Sequence, residues 1–96
     1  MSHHELIERN REQILRIARR HGASNVRVFG SFAGGNPGPR SDINLLVDVG
    51  PKRSKFFPGG LVADLEDLLG RTIDIATVNG LHPLIREAVL DEARPL

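Results

Sequence analysis

Residues 41–51, SDINLLVDVGP, contain the stretch that decides the fold. From Asp42 to Val49 the side chains alternate between two faces, as they do along a β-strand. One face carries only apolar residues, namely Ile43, Leu45, Val47 and Val49. The other face carries Asp42, Asn44, Leu46 and Asp48. The stretch therefore predicts a strand with one strongly apolar face.

A shorter strand is predicted upstream of this one. Residues 25–29, NVRVF, are short and rich in β-branched side chains, with Val26 and Val28 on one face. They lead directly into Gly30-Ser31, which predicts a tight turn. Residues 36–39, NPGP, then interrupt any regular structure before the next strand begins.

Three segments have the apolar spacing of amphipathic helices. The first follows a capping box at residues 2–5 and is predicted to be one long helix that stops at Gly22. The second starts near Leu61 and ends at Gly70. The third starts at Pro83, and its apolar residues predict a buried stripe made of Leu84, Ile85, Ala88 and Val89.

A third strand is predicted from Thr72 to Val78, with Ile73 and Ile75 on one face and Asp74 on the other. The resulting order is helix, strand, strand, helix, strand, helix. This order predicts an α/β domain in which the helices cover the apolar face of the sheet. We expect a single domain that spans residues 1–96.

Composition limits the class of protein. The chain has 96 residues, 40% of them apolar and 26% charged, which is ordinary for one globular domain. It has no apolar run long enough to span a bilayer and no signal-peptide pattern at its amino end, so we expect a cytoplasmic location. The net charge of +1 argues against dedicated duplex-DNA binding. So small a chain without cysteine makes a homo-oligomer or another partner plausible.

Polar residues on the predicted strands form a candidate site for a metal ion and phosphates. Asp42 and Asn44 are two residues apart on a strand and leave the same face, and Asp74 offers a third oxygen ligand from another strand. Oxygen ligands of this kind suit Mg²⁺. The turn at Gly30 and Ser31 has backbone amides and a hydroxyl that could hold a phosphate. The simpler interpretation is solvated carboxylates and an ordinary turn.

Other residues have a functional and a simpler interpretation. Arg9, Arg16 and Arg20 could form a surface for a partner or RNA, although glutamates four residues before the first two favour a solvated face with ion pairs. Phe56 and Phe57 could anchor another subunit or fold back onto the core. His21 and His82 are interpreted as residues at helix ends, and Asp48 as a solvated carboxylate. The sequence lacks the residues of a P-loop, a calcium loop or a dinucleotide fingerprint.

The pattern Gly30-Ser31, ten residues, Asp42-x-Asn44 resembles the signature of the minimal nucleotidyltransferases, a branch of the DNA polymerase beta-like superfamily. The resemblance extends in order through residues 21–35, 41–51 and 59–83 to IREAVLDEA at residues 85–93. It implies a small mixed sheet covered by helices. It also implies that Gly30 and Ser31 bind ATP, that Asp42, position 44 and Asp74 bind Mg²⁺ and are catalytic, and that AMP is transferred to a hydroxyl. In many pairs of this family the partner is a HEPN-domain toxin, the nucleotidyltransferase is the antitoxin, and some members modify a tyrosine of the toxin.

Two positions depart from the family pattern. The second aspartate of the strand motif is Asn44 here, and a basic residue that often follows the alanine of the glycine-serine motif is Gly34. An amide at position 44 removes one negative charge from the metal shell, so we expect weaker metal binding and a lower rate. Three hypotheses follow: an adenylyltransferase antitoxin, a degenerate module that neutralises its partner by contact alone, and a transferase that acts on a small molecule or an RNA end.

Overall fold

A computed structural model describes residues 3–29, 43–51 and 57–96 of the chain. Its elements in chain order are α1 (His3–Arg9), α2 (Arg11–Arg20), β1 (Ala23–Phe29), β2 (Ile43–Val49), α3 (Gly59–Leu69), β3 (Ile73–Thr77), α4 (Pro83–Glu92) and β4 (Arg94–Pro95). No helix among these described residues has the length and apolar character needed to cross a membrane.

The described strands form one mixed sheet in the order β3-β2-β1-β4. Strand β2 is central because it pairs parallel with β3 and antiparallel with β1. Strand β4 adds a short antiparallel pairing to the outer side of β1. This architecture confirms the predicted α/β class and the mixed sheet.

The first face of the sheet carries the main core, as the alternation in β2 predicts. Ile43, Leu45 and Val47 are buried on this face. Three helices supply the residues that pack against them: Ile7 from α1, Ile14 and Ala18 from α2, and Leu61, Leu65 and Leu69 from α3. Phe57 also packs against this core and is half-buried, whereas Phe56 lies outside the described residues.

The second face of the sheet is also partly covered, in addition to the apolar face that the sequence predicts the helices to cover. Leu46 is 0% exposed and forms a smaller cluster with Leu81 and Val89. Helix α4 provides Val89 and therefore lies over the second face. An isolated leucine on an otherwise polar strand face marked this contact in the sequence, because an apolar side chain there needs a cover.

The predicted buried stripe of α4 is wrong for three of its four residues. Leu84 is 86% exposed, Ile85 is 50% exposed and Ala88 is exposed, so Val89 alone of that stripe is buried. The helix contacts the small cluster through Val89, and Ala93, the extended C-cap residue that follows the helix, also packs against that cluster.

The first predicted helix is interrupted at Asn10, so the structure has two helices where one was expected. The Asn10 side-chain amide donates to the Leu6 carbonyl at 2.8 Å, and the Asn10 carbonyl accepts from the Ile14 amide at 2.8 Å. The side-chain amide of Asn10 thus competes with its backbone amide, which lies 3.3 Å from the same Leu6 carbonyl, whereas the bond from Ile14 is an ordinary helical bond at the start of α2. The apolar period runs through the break and therefore does not reveal it. Ser2 of the predicted capping box lies outside the described residues.

Strand β1 starts at Ala23, two residues before the predicted start, and it is irregular. Its register with β2 shifts between Ser24 and Arg27, and Asn25 within that shift has φ 50°. Asparagine tolerates this left-handed conformation better than most residues. The shift also places the Arg27 guanidinium 2.8 Å from the Asp48 carboxylate, to which Asn25 donates at 3.0 Å. Asp48 is thus exposed, as expected, but it is also ion-paired.

A pair of matched leucine truncations tests the burial of the second face. We expect Leu46→Ala to lower the free energy of unfolding by about 2 to 5 kcal/mol, because it removes a fully buried side chain from a close-packed cluster. The control, Leu84→Ala, should change it by less than about 0.5 kcal/mol. Chemical denaturation of both variants measures the difference. Equal losses would contradict the placement of α4 over Leu46.

Candidate functional site

The parallel pairing of β2 and β3 brings two predicted site residues together. Asn44 and Asp74 are direct register partners on these neighbouring strands. Neighbouring strands are about 4.8 Å apart, and paired residues direct their side chains to the same face. Both side chains therefore lie side by side on the second face, the face that α4 partly covers.

These two residues lie beside the covered part of the second face. Two residues further along each strand come Leu46, which is buried, and Ala76, which is half-buried, and both belong to the small cluster under α4. Asn44 is half-buried and Asp74 is exposed. The pair is thus bordered along the strands by an apolar cluster, while Asp74 remains accessible to a ligand from solvent.

The side-chain oxygens of this pair are free to bind a ligand as far as the described residues show. In residues 3–29, 43–51 and 57–96, neither the Asn44 amide nor the Asp74 carboxylate has a hydrogen-bond or ion-pair partner. Both are hard oxygen donors, the type that Mg²⁺ prefers. They fit such an ion as a partial ligand set. The described residues contain no group of three or more His, Cys, Asp or Glu that could hold a metal by itself.

The remaining predicted site residues lie outside the described residues. Phe29, the last residue of β1, is the register partner of Asn44 and packs in the cluster under α4. Gly30 and Ser31 follow Phe29 directly in the sequence, and Asp42 directly precedes β2. The roles predicted for Gly30, Ser31 and Asp42 stay predictions, as does the effect of Gly34.

His21 and His82 have the structural roles expected for helix ends. His21 caps the C-terminus of α2, and its Nε2 lies 2.7 Å from Oδ2 of Asp64 on α3. His82 is the N-cap of α4, and its Nδ1 accepts a hydrogen bond from the Leu84 amide at 3.1 Å. Arg9, Arg16 and Arg20 are exposed. None of these residues belongs to the Asn44–Asp74 pair.

A family model for the nucleotidyltransferase domain matches residues 11–96. This match covers most of the chain, and the chain therefore belongs to the nucleotidyltransferase domain family. The match confirms the resemblance found in the sequence. A Methanocaldococcus jannaschii protein with the provisional name protein adenylyltransferase MJ0435 is 35% identical over 83 residues, which are 86% of this chain and 89% of that protein.

Solved structures confirm the fold. One, provisionally described as a minimal nucleotidyltransferase, is 44% identical, covers 96% of this chain and 94% of its own, and has a TM-score of 0.85. A second, a crystal structure of a toxin-antitoxin with AMP-PNP, is 18% identical and has a TM-score of 0.75. It covers 90% of this chain and 71% of its own, and at this identity it supports the fold alone.

Proposed function

We propose that this chain is an antitoxin-type nucleotidyltransferase, which uses Mg²⁺ and ATP to transfer AMP to a tyrosine hydroxyl of a HEPN-type toxin. The observation that carries the proposal is the register pair of Asn44 and Asp74. Their oxygens have no partner among the described residues and lie side by side on the second face, where Asp74 is exposed, in a chain of the nucleotidyltransferase family.

Each candidate site residue has a proposed role. Asp42, Asn44 and Asp74 would hold the cation, and Gly30 and Ser31 would hold the triphosphate through a backbone amide and a hydroxyl. A bound Mg²⁺ would neutralise phosphate charge and make the α-phosphorus a better electrophile. The amide oxygen of Asn44 can still ligate, but it contributes one negative charge less than a carboxylate would.

The transfer is a substitution at the α-phosphorus of ATP. The acceptor oxygen forms a bond to this phosphorus, the bond from the phosphorus to the bridging oxygen of the β-phosphate breaks, and pyrophosphate leaves. The hydroxyl proton passes to the Asp74 carboxylate, which is exposed and could receive it directly or through water. AMP remains on the acceptor as a phosphodiester.

The names of similar proteins support the choice of reaction and partner. The Methanocaldococcus jannaschii relative is named for adenylyl transfer to protein, and it is similar to this chain over most of both sequences. The toxin-antitoxin structure holds AMP-PNP, an analogue of ATP, and shares this fold. Both properties are those of the similar proteins, and we extend them to this chain as part of the proposal.

A contact-only antitoxin is the second candidate, and two observations favour it. Asn44 stands where a carboxylate would bind the metal more strongly. In addition, Leu84 and Ile85 on α4 leave apolar area exposed that a partner could bury. This candidate needs no chemistry at the Asn44–Asp74 pair.

One experiment separates the two candidates. The purified chain is incubated with a purified HEPN-domain protein, Mg²⁺ and ATP labelled at the α-phosphate. Transfer of label to the HEPN-domain protein supports the adenylyltransferase. A stable complex that neutralises the toxin without label transfer supports the contact-only antitoxin instead.

The position of the adduct gives a further prediction. The chain contains no tyrosine, so it has no tyrosine hydroxyl of its own to modify. We expect AMP on a tyrosine of the partner and no label on this chain when it is incubated alone. Mass spectrometry of both proteins locates the adduct. An adduct on a serine or threonine of this chain would contradict the proposed acceptor.

A further inference from the structure

Glu66 holds both ends of the connection from α3 to β3. Its backbone carbonyl accepts a hydrogen bond from the Gly70 amide at 2.8 Å, which closes the C-terminus of α3. Its side-chain Oε2 accepts a hydrogen bond from the Ile73 amide at 3.0 Å, at the first residue of β3. Gly70 between them has φ 65°, the left-handed conformation that ends a helix and that glycine adopts without strain.

The Glu66 carboxylate gives the Ile73 amide a hydrogen-bond acceptor that the described sheet does not provide. Strand β3 is the terminal strand beside β2 in the described sheet. The Ile43 amide of β2 donates to the Thr72 carbonyl at 2.9 Å, so this carbonyl points toward β2. Backbone groups alternate along a strand, and the next amide, that of Ile73, therefore points away from β2. The Glu66 carboxylate satisfies it there.

These contacts lie at the level of the candidate site. Ile73 immediately precedes Asp74, and its register partner Ile43 immediately precedes Asn44. The Ile43–Thr72 bond joins the starts of the two strands, and the Glu66–Ile73 bond fixes the outer side of β3 one residue later. The backbone that carries Asp74 is thus held from both sides.

We infer that Glu66 is a positioning residue for nucleotidyl transfer. It holds the Asp74 carboxylate beside the Asn44 amide, so that an oxygen of each side chain can bind the same cation. This inference rests on the proposed function. Glu66 itself touches neither ATP nor the acceptor. A metal site requires its ligands within a fraction of an ångström, and residues that orient the ligands commonly change affinity strongly when they are replaced.

The test compares four variants of the full chain by Mn²⁺ binding in the presence of AMP-PNP and by amide hydrogen exchange. Glu66→Met removes the acceptor but keeps the length of the side chain, and Glu66→Gln keeps an acceptor oxygen. Glu66→Asp keeps the charge but is one methylene too short. Glu12→Met, at an exposed position of α2, is the matched control.

We expect Glu66→Met to weaken Mn²⁺ binding about tenfold and to accelerate exchange of the Ile73 amide. Glu66→Asp should share both effects in weaker form, and it replaces Glu66→Met if that variant does not fold. Glu66→Gln should restore both properties, and Glu12→Met should match the wild type. Faster exchange at Ile73 with unchanged Mn²⁺ affinity would overturn the positioning role alone. Absence of Mn²⁺ binding by the wild-type chain would overturn the proposed function and this inference with it.

Discussion

The Asn44→Asp variant should transfer AMP at least about tenfold faster than the wild-type chain and should reach half-maximal rate at a lower Mg²⁺ concentration. Asn44 is half-buried beside Asp74, and the substitution replaces an amide by a nearly isosteric carboxylate. The added negative charge would lie next to the cation and would stabilise it. Initial rates with a HEPN-domain protein at a series of Mg²⁺ concentrations measure both effects.

A control separates a local effect from a change in net charge. Asn79→Asp makes the same chemical change at an exposed turn after β3, away from Asn44. It should leave the rate and the Mg²⁺ dependence unchanged. An Asn44→Asp rate equal to that of the wild type, or below it, would contradict the proposal that position 44 is a metal ligand.

Asp74→Asn in the Asn44→Asp background should lower the transfer rate by at least about a hundredfold. The amide would ligate the cation less strongly and could not accept the proton of the attacking hydroxyl. Asp74 is exposed and has no partner among the described residues, so the fold should keep its thermal stability. Rate measurements and thermal melting of the same preparation check both halves of this prediction.

Asp67→Asn, made in the same background, is the matched control. Asp67 is an exposed carboxylate on α3, the helix that packs on the opposite face of the sheet. Its replacement should leave transfer intact. If Asp74→Asn retains the full rate, Asp74 lies outside the reaction centre, and the proposed proton transfer is wrong.

The sequence predicts the fold best where a single periodic pattern of apolar residues identifies a helix or strand and its buried face. The alternation from Asp42 to Val49 identifies both the strand and the face that packs on the core, because every second side chain must leave water together. The prediction from helical spacing fails for α4, because this helix has more apolar residues than the small cluster around Leu46 can cover. A helical pattern shows that apolar residues share a side, but it does not show whether a neighbour covers that side.

The sequence also predicts part of the candidate site. Residue type and position on strands predict Asn44 and Asp74 as ligands, and the structure makes them register partners. That pairing depends on the parallel register of β2 and β3, which no local pattern encodes. Nothing in the sequence distinguishes Glu66, because it is one more polar residue between the apolar positions of α3. Its contact with Ile73 depends on the turn at Gly70.

The central claim is tested most directly by label transfer from α-labelled ATP to a purified HEPN-domain protein. The assay compares the wild-type chain, Asn44→Asp, and Asn44→Asp combined with Asp74→Asn, each with Mg²⁺ and with a chelator. The account predicts weak Mg²⁺-dependent transfer by the wild type, stronger transfer by Asn44→Asp and transfer near background for the double variant. Absence of transfer by Asn44→Asp, with a partner that it binds and neutralises, would contradict the account.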